Sequence, residues 1–557
     1  MVKLSLRTIR DLERVYDIAS IGIRYGFADV VQRLDLTRVL EPAGRILRWT
    51  EANKELARLT PPERVRRMME ELGPTFIKLG QILATRVDLF PPEWISQFEH
   101  LHSNVPPVPF NAIRAQLRED LGAEPETVFH EFQEKPLGAA SIAQVHAARL
   151  ADGTPVILKV RRPGIRPVVE ADLRLLRQLA ELAEERLPQL ARYHLRDTVR
   201  AFATSLEAEL DLAQEGRNAE RVAELLKDTP VLSVPRVYWA YTGERLNVQE
   251  LVRGIPGNDM EAVERAGLDR QRLAREGGRA IARTVLKDGF FHADPHPGNL
   301  IFLPDNRGML LDFGMVGRLS RSRREQLLDL LYGMVLKDPT RVADILLSWS
   351  TDEATDPERL SSDVESFLDR YHSVALSRID FAVMFGELTR LIRDNRVSLP
   401  ADLALTIKVF ITLEGLGRRL DPEFDLAAEA APLLKELMFQ RYNPKRLLKT
   451  SQQTAGELAD ILKDLPRDLK QLMRFLRTGS LDHRLEIRDL DRFSERIDRA
   501  ASRLAVSLVT SAFIIGTSVV VAVGDSVTVL GLPLLEILGV GAIIGGLWVL
   551  LSIWRGR

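Results

Sequence analysis

FFHADPHPGNLIF, at Phe290–Phe302, and LLDFGMVG, at Leu310–Gly317, are the two stretches that decide the fold. The first places Asp294 and Asn299 five residues apart between two apolar runs, and the second places Asp312 after a strand-like run. Phosphoryl-transfer sites need a carboxylate and an amide for a metal ion, and an acid that positions the nucleophile. The stretches therefore predict either the two halves of one magnesium and phosphate site or polar turns that happen to be rich in His and Asp.

The composition is that of a large globular protein. The chain has 557 residues, of which 45% are hydrophobic and 28% are charged, with a formal net charge of -1 and no cysteine. This length exceeds a single hydrophobic core and predicts about two to four structural units. The near-zero net charge gives no field that would attract nucleic acid, so no nucleic-acid partner is expected. Without cysteine, disulfides, thiolate zinc sites and a cysteine nucleophile are excluded.

Two long uncharged runs lie near the C-terminus, at residues 504–524 and 537–554. At about 1.5 Å per residue, the first can cross the roughly 30 Å of hydrocarbon in a bilayer. Together they predict a transmembrane helical hairpin over residues 503–557, with a buried hairpin of a soluble core as the alternative. Arginines flank the hairpin, so the positive-inside rule predicts that both of its ends face the cytoplasm. Gly541 and Gly545 allow close helix packing, either within the hairpin or in a homodimer.

Apolar spacing and prolines divide the rest of the chain. Short branched runs flanked by turns predict strands at 128–132, 141–150 and 155–162, with two more strands within 235–254, and a long helical pattern covers about 166–226. The predicted segments are an N-terminal helical segment at 1–60, a helical extension at 61–110, an N-lobe at 111–256, a C-lobe at 257–440, a helical connector at 441–502 and the hairpin. A sheet lobe followed by a helical lobe predicts an α+β, two-lobed, protein-kinase-like fold.

Four polar residues stand in the order that a kinase site needs. Lys159 lies on the predicted strand VILK after a loop of small residues, like the strand lysine of kinases. Asp294 and Asn299 have the Asp-to-Asn spacing of kinase catalytic loops, and Asp312 follows in LDFG. Asn299 and Asp312 suit Mg²⁺, a hard cation that prefers oxygen ligands. Asp294 can orient or deprotonate the attacking hydroxyl or water.

Two histidines flank Asp294 in the first stretch. His292 is expected to brace the catalytic loop, and His296 stands where protein kinases often carry a lysine. Zinc ligation by these two histidines at positions i and i+4 is the alternative. However, Pro295 and Pro297 disfavour the helix that such a spacing would require.

Two features depart from ordinary kinases. PLGAASIAQVH, at residues 136–146, stands in place of a G-x-G-x-x-G loop, and a helical segment with KLGQ, at residues 78–81, precedes the sheet lobe. Together with VILK, ELDLAQEGRN, ADPHPGN, LDFG and LEGLGRRLDPEFD, these motifs are similar to those of the UbiB family of atypical kinase-like proteins. The resemblance covers roughly residues 60–440 and the C-terminal hairpin.

The resemblance implies a role for the helical extension. Lys78 and Gln81 belong to a segment that folds over the active site, where a protein kinase would admit its peptide. Glu209 and Asp211 form an E-x-D element that meets this segment. The alternative for Lys78 is a surface lysine on an amphipathic helix. The alternative for Glu209 and Asp211 is the solvated face of a charged helix.

The resemblance also implies which residues bind the nucleotide. Glu215 corresponds to the helix glutamate that pairs with the strand lysine, here Lys159, so that both join Asp294 as predicted catalytic residues. Asn299 and Asp312 are the predicted metal ligands. The predicted ATP-binding residues are Ala139, Ala140, Ser141, Lys159, Lys78, Gln81, Glu209 and Asp211.

The family resemblance implies ATP and Mg²⁺ as cofactors, and ATPase activity more readily than protein phosphorylation. It further implies support of ubiquinone or other prenyl-lipid biosynthesis, with the lipid bilayer, the isoprenoid or quinone precursors and their biosynthetic enzymes as partners. The expected location is the bacterial cytoplasmic membrane, with the kinase-like domain in the cytoplasm. Two alternatives stay open, namely a protein kinase that acts on an unknown protein and a non-catalytic nucleotide-binding scaffold.

Overall fold

The computed structural model describes residues 9–34, 59–101, 106–187, 195–350, 355–371, 381–397 and 399–441, together with Thr528, Val529, Leu532 and Pro533. The chain divides into two compact units, Met1–Leu447 and Leu448–Arg557. All of the candidate site residues belong to the first unit.

Short strands bring the two quoted stretches together. The strands of the first unit are β1 (Gly138–Ala139), β2 (Ala143–Arg149), β3 (Pro155–Arg161), β4 (Leu232–Ser233), β5 (Leu246–Glu250), β6 (Ile255–Pro256), β7 (Phe290–His292), β8 (Leu300–Phe302), β9 (Gly308–Leu310) and β10 (Val316–Arg318). One sheet has the order β1-β2-β3-β5, a second has the order β4-β9-β8-β6, and β7 pairs with β10. The loop with Asp294 and Asn299 thus joins β7 to β8, and Asp312 lies between β9 and β10.

The first sheet is covered on one face by an apolar core. Val156, Leu158 and Val160 alternate along β3, are fully buried, and pack with residues of helix Phe110–Leu121. Because successive side chains of a strand point to opposite faces, Lys159 lies on the other face of the sheet. The alternating side chains of β3 therefore place the apolar residues in the core and Lys159 on the face of the candidate site.

The predicted strand at 128–132 is wrong. Pro125–Val128 is a single turn of helix, and His130 forms only an isolated bridge with Arg149. Glu131 has a φ of 49°, in the left-handed region that L-residues rarely adopt. This residue ends the extended conformation that the apolar pattern predicts.

Two other predictions are correct only in part. Within 235–254 the second predicted strand is β5, whereas the first is reduced to a bridge between Val237 and Gln249. The long helical pattern is interrupted because Asp211 leaves the helical conformation and caps a new helix. The pattern corresponds to the helices Ile165–Arg186, Leu195–Glu209 and Leu212–Leu226.

A helical extension precedes the sheet lobe, as expected. It contains the helices Pro61–Leu72, Pro74–Leu83 and Pro92–Glu99, and the N-terminal helical segment before it contains Ile9–Arg24 and Ala28–Arg33. Three of them begin with proline, which is favoured at the first helical position because its missing N–H has no partner there. The extension packs against helices Ile165–Arg186 and Leu195–Glu209. Arg14 adds an ion pair of 2.5 Å to Asp172, whose side chain is fully buried.

The second lobe is mainly helical. Its helices are Met260–Arg265, Arg270–Arg283, Arg321–Leu336, Pro339–Trp349, Pro357–Arg370, Phe381–Asp394, Ala401–Leu420 and Leu426–Arg441, and a π-helical turn at Thr284–Asp288 continues the second of them. Their apolar faces share one core with the strands that carry the catalytic loop. The loop is therefore supported by the largest apolar core in the described part of the chain.

Among the four described residues of the second unit, Thr528–Val529 pairs antiparallel with Leu532–Pro533, between the two apolar runs of the sequence. No helix within the described ranges is long and apolar enough to cross a membrane. The predicted connector at 441–502 and the hairpin at 503–557 lie almost entirely outside those ranges. Both stay predictions, as do the segment boundaries.

Phe424 is enclosed by glycines from two helices. A Cβ built at Gly417 would lie 2.2 Å from the ring atom Cδ1, and one at Gly278 would lie 2.8 Å from Cζ. The Phe424 residue is only 2% exposed, so the ring cannot move outward into solvent. This close approach explains why the LEGLGRRLDPEFD motif has glycine at position 417 and phenylalanine at position 424.

Gly417→Ala should therefore destabilise the fold. Overpacking a buried site typically costs about 1–3 kcal/mol, and a Gly-to-Ala change in a helix gains roughly 1 kcal/mol. Gly415→Ala is the matched control on the same helix, because no atom lies within 4 Å of its Cβ position. Thermal or denaturant unfolding of the full chain should rank Gly415→Ala well above Gly417→Ala. Equal stabilities would contradict the packing around Phe424.

Candidate active site

Lys159 lies at the centre of charged side chains from three elements. Its Nζ is 2.7 Å from Glu215 Oε1, on helix Leu212–Leu226, and 3.3 Å from Asp312 Oδ1, which follows β9. The side chains of Lys159 and Glu215 are 20% and 6% exposed, whereas that of Asp312 is 52% exposed. The structure thus brings three predicted residues together and leaves Asp312 accessible to a ligand.

These charges shift one another's pKa values. Burial lowers the pKa of Lys159, but the attraction of Asp312 and Glu215 outweighs it, and the net direction is upward. The positive charge of Lys159 is the main reason that the pKa of Asp312 lies well below its usual range. Burial raises the pKa of Glu215 to about 7, against the attraction of Lys159. Lys159 and Asp312 are therefore charged at neutral pH, as contacts to phosphate and metal require.

His292 braces the loop between β7 and β8. Asp294 N donates to His292 Nδ1 at 3.1 Å, and His292 Nε2 lies 2.9 Å from Leu311 O. This pattern assigns the proton to Nε2 and joins the catalytic loop to the end of β9. Burial lowers the pKa of His292, which favours the neutral ring. Both ring nitrogens are hydrogen-bonded, so the alternative of zinc ligation by His292 has no geometric support.

Asn299 is oriented by hydrogen bonds on two sides. Its Nδ2 donates to Asp294 O at 3.1 Å, and its backbone oxygen accepts from Leu311 N at 2.8 Å. The amide nitrogen is thus used within the protein, and Oδ1 is the end that can face a cation. Because Leu311 directly precedes Asp312, the two predicted metal ligands come from adjacent ends of β8 and β9.

The LDFG turn is fixed from both sides. Asp312 has a φ of 55°, and Gly314 N donates to its Oδ1 at 3.1 Å. The left-handed region is uncommon for residues other than glycine, but Asp is enriched there. Phe313 is buried, its backbone oxygen accepts from Asn218 Nδ2 at 3.1 Å, and its ring centroid lies 5.1 Å from that of His292. The turn is therefore held by both the helix and the catalytic loop.

The residues present fit a magnesium–nucleotide ligand. Mg²⁺ is usually held by one or two carboxylates together with substrate phosphates and waters, and Asp312 and Asn299 offer a carboxylate and an amide oxygen. Within the described ranges, no group of three or more His, Asp or Glu side chains could hold a metal ion by itself. A site completed by phosphate oxygens, with Lys159 as their cation, suits this donor set.

The alanine-rich loop forms a tight turn between β1 and β2. Ala140 N donates to Ala143 O at 2.8 Å. Ala140 is exposed and Ala139 is half-buried, so a ligand can contact both. Ser141 is instead only 1% exposed, and its Oγ has no hydrogen-bond partner within the described residues. Of these three predicted ATP-binding residues, Ser141 is the least accessible.

The helical extension reaches the site through Lys78. Its Nζ lies 2.7 Å from Glu209 Oε1, and the side chains are 23% and 10% exposed. Burial lowers the pKa of Lys78, but the attraction of Glu209 and Asp312 outweighs it, and the net direction is upward. The extension therefore contributes a charged lysine close enough to act on Asp312.

Gln81 and Asp211 have structural partners. Gln81 Nε2 donates to Leu101 O at 2.9 Å, which ties the helix of the KLGQ motif to the end of the extension. Asp211 caps helix Leu212–Leu226 through Ala213 N at 3.0 Å and forms an ion pair of 2.9 Å with Arg217. Their roles in ATP binding stay predictions.

Three family models match the chain. A model described as the ABC1 atypical kinase-like domain matches residues 100–346, the UbiB helical domain matches 364–425, and the ABC1/UbiB kinase-like C-terminal domain matches 488–555. A protein named probable protein kinase UbiB, from Xanthomonas campestris pv. campestris (strain B100), is 34% identical over 514 residues, which cover 89% of this chain and 91% of that protein. The chain belongs to the UbiB family.

Other UbiB relatives are similar over most of their length. Proteins of the same name from Pseudomonas aeruginosa (strain LESB58) and Sodalis glossinidius (strain morsitans) are 34% identical over 465 residues and 31% identical over 518 residues. These matches cover 82% and 91% of this chain, and 87% and 93% of the relatives. A solved complex of Rv3197 with erythromycin, from Mycobacterium tuberculosis, is 21% identical with a TM-score of 0.45, covering 63% of this chain and 90% of that one.

UbiB membership confirms the predicted kinase-like α+β fold. It also identifies the general chemistry as that of a kinase-like domain, namely ATP-dependent phosphoryl transfer. The predicted catalytic and metal-binding residues within the ABC1 match are Lys159, Glu215, Asp294, Asn299 and Asp312. Their individual roles stay predictions.

One charged residue near the catalytic loop was missed in the sequence. Lys408, on helix Ala401–Leu420, places its Nζ 3.7 Å from Asp294 Oδ1. It lies within the match to the UbiB helical domain. The only signal near it is the LEGLGRRLDPEFD motif, which begins at Leu413 on the same helix.

Lys78→Met should destabilise the chain more than Lys78→Met combined with Glu209→Gln. Removing the lysine alone leaves the mostly buried Glu209 carboxylate without its partner, whereas the double variant removes both charges. The loss for Lys78→Met should lie between the roughly 0.2–1 kcal/mol of exposed pairs and the roughly 3–5 kcal/mol of buried ones. Denaturant unfolding measures it.

The control for this pair is Lys227→Met, which removes a surface lysine whose ion pair with Glu224 is well exposed. It should change the free energy of unfolding by less than about 0.5 kcal/mol. If the losses in free energy of unfolding for Lys78→Met and Glu209→Gln add up strictly in the double variant, the two side chains do not interact.

Proposed function

We propose that the chain is a Mg²⁺-dependent ATPase of the UbiB family that works at the cytoplasmic membrane and supports ubiquinone or other prenyl-lipid biosynthesis. The observation that carries the ATPase part is the charged group around Asp312. Lys159 and Glu215 form an ion pair on one side of it, and Lys78, on the extension, pairs with Glu209. Lysines beside a metal-binding carboxylate suit the charge of a nucleotide triphosphate.

The predicted catalytic and metal-binding residues have distinct parts in ATP hydrolysis. Lys159, held by Glu215, contacts the α- and β-phosphates, and Asp312 with Asn299 would hold the metal, which would neutralise charge on the phosphate oxygens. Asp294 orients a water molecule and accepts its proton as the water oxygen bonds to the γ-phosphorus. The bond from the γ-phosphorus to the bridging oxygen breaks, and ADP and phosphate leave.

The helical extension favours water over a protein substrate as the nucleophile. Lys78 and Glu209 join the extension to helix Leu195–Glu209, and a Cβ at Gly314 of LDFG would lie only 3.8 Å from Glu209 Oε1. A protein kinase admits its peptide on this side of the site, whereas water needs little room. A protein kinase is the second candidate because the relatives carry that name, and it would require the Lys78–Glu209 ion pair to open.

The membrane part of the proposal rests on the sequence. Both apolar runs, at 504–524 and 537–554, lie within the segment that matches the C-terminal domain model. A hairpin there would hold the catalytic unit near the bilayer, where apolar quinone precursors dissolve. The bilayer, these precursors and the enzymes that modify them are the proposed partners, and ATP turnover would assist the enzymes.

Phosphate release by the full chain with MgATP tests the proposal. We expect turnover that rises with cardiolipin-containing liposomes and falls by at least about a hundredfold in Asp312→Asn, since the metal loses its carboxylate ligand. Asp305→Asn is the matched control, because Asp305 is 54% exposed between β8 and β9 and pairs with Arg307. It should keep wild-type turnover.

Three outcomes would contradict parts of the proposal. ATP binding without phosphate release by the wild-type chain would overturn the ATPase and favour a nucleotide-binding scaffold. Transfer of label from γ-labelled ATP to a protein would favour the protein kinase. Turnover that liposomes leave unchanged would retain the ATPase and remove its coupling to the membrane.

A further inference from the structure

Asp294 is paired with a lysine from a distant part of the chain. Lys408 Nζ lies 3.7 Å from Asp294 Oδ1, and the side chains are 16% and 32% exposed. This separation is that of an ion pair and is too long for a direct hydrogen bond. Helix Ala401–Leu420 fixes the lysine, because the neighbouring Ile407 and Val409 are buried in the core.

The other oxygen of Asp294 faces a weaker cation. His296 Nε2 lies 3.6 Å from Asp294 Oδ2, and this histidine is charged only when it is protonated. Its Nδ1 accepts from Gly298 N at 2.9 Å, which keeps the ring near the catalytic loop. Lys408 therefore supplies the permanent positive charge beside this carboxylate.

The two other lysines of the site have their own partners. Lys159 forms ion pairs with Glu215 and Asp312, and Lys78, on the extension, forms one with Glu209. During phosphoryl transfer Asp294 must approach the γ-phosphate, and two anions repel each other strongly in a partly buried site. A lysine that pairs with Asp294 offsets this repulsion.

We propose that Lys408 is a positioning residue for phosphoryl transfer. Its ammonium group holds the Asp294 carboxylate in place and offsets its charge while the nucleophile attacks the γ-phosphate. This inference rests on the proposed ATP hydrolysis, and it adds a residue of the helical segment 364–425 to the catalytic loop. The alternative is that the pair only anchors the helix to the loop, in which case loss of Lys408 lowers stability and leaves the rate constant intact.

Steady-state phosphate release by the full chain tests this role. Lys408→Met should lower kcat by about tenfold or more and change the KM for ATP by less than about threefold, because Asp294 acts mainly in the transition state. Lys408→Arg, which keeps the charge, should recover most of kcat. Lys435→Met is the matched control, since Lys435 is exposed on helix Leu426–Arg441, and it should leave both constants unchanged.

A double variant separates positioning from anchoring. If Lys408 acts through Asp294, then Lys408→Met should cause no further loss of kcat in an Asp294→Asn background, because residues that act as a unit are not additive. Thermal unfolding of the same proteins measures the anchoring effect separately. If Lys408→Met fails to fold, Lys408→Gln replaces it in each comparison.

Three results would overturn the role of Lys408 alone. They are an unchanged kcat in Lys408→Met, no recovery in Lys408→Arg, and an equal fold-loss of kcat with and without the Asp294 carboxylate. A wild-type chain without turnover would overturn the proposed ATPase and this inference together. The wild-type measurement therefore distinguishes the two failures.

Discussion

The ion pair between Lys159 and Glu215 is the contact on which the rest of the site depends. It joins β3 to helix Leu212–Leu226, and Asp312 extends it to the turn after β9. The lysine keeps Asp312 ionised while the carboxylates keep the lysine charged, so the phosphate-binding and metal-binding groups stabilise each other's charge. The same helix also holds the backbone after Asp312 through Asn218. One helix therefore positions both the lysine and the metal-binding turn.

Charge balance explains why a helical extension is part of this site. Lys78 and Lys159 lie among the carboxylates of Glu209, Glu215 and Asp312, so this group carries at most one net negative charge before a ligand binds. A divalent cation would make the group positive, so that it would attract the negative charge of a nucleotide triphosphate. Of the two ammonium groups among these carboxylates, the extension supplies that of Lys78. The docking of the extension is therefore linked to the electrostatics of the nucleotide site.

Local spacing made the catalytic loop predictable, and the family resemblance predicted the distant pair of Lys159 and Glu215, but the contact of Lys408 with Asp294 was not predicted. Asp294, Asn299 and Asp312 lie in one short segment, and the pairing of β8 with β9 necessarily brings the last two together. Lys408 meets Asp294 only because the helical lobe folds back on the loop, and no pattern around the lysine shows this. The strand error at Glu131 has a different cause, because a left-handed backbone conformation leaves no trace in the apolar pattern.

The position of Lys408 follows from the packing of its own helix. Helix Ala401–Leu420 is held at its C-terminal end by the contact of Gly417 with Phe424, and the lysine lies nine residues earlier, roughly 13 Å along the axis. Protein kinases often carry a lysine within the catalytic loop itself, at the place that His296 occupies here. In this chain the cation beside Asp294 comes instead from a helix whose position is set by glycine packing. The family-specific helical lobe thus contributes to the electrostatics of the catalytic loop as well as to the core.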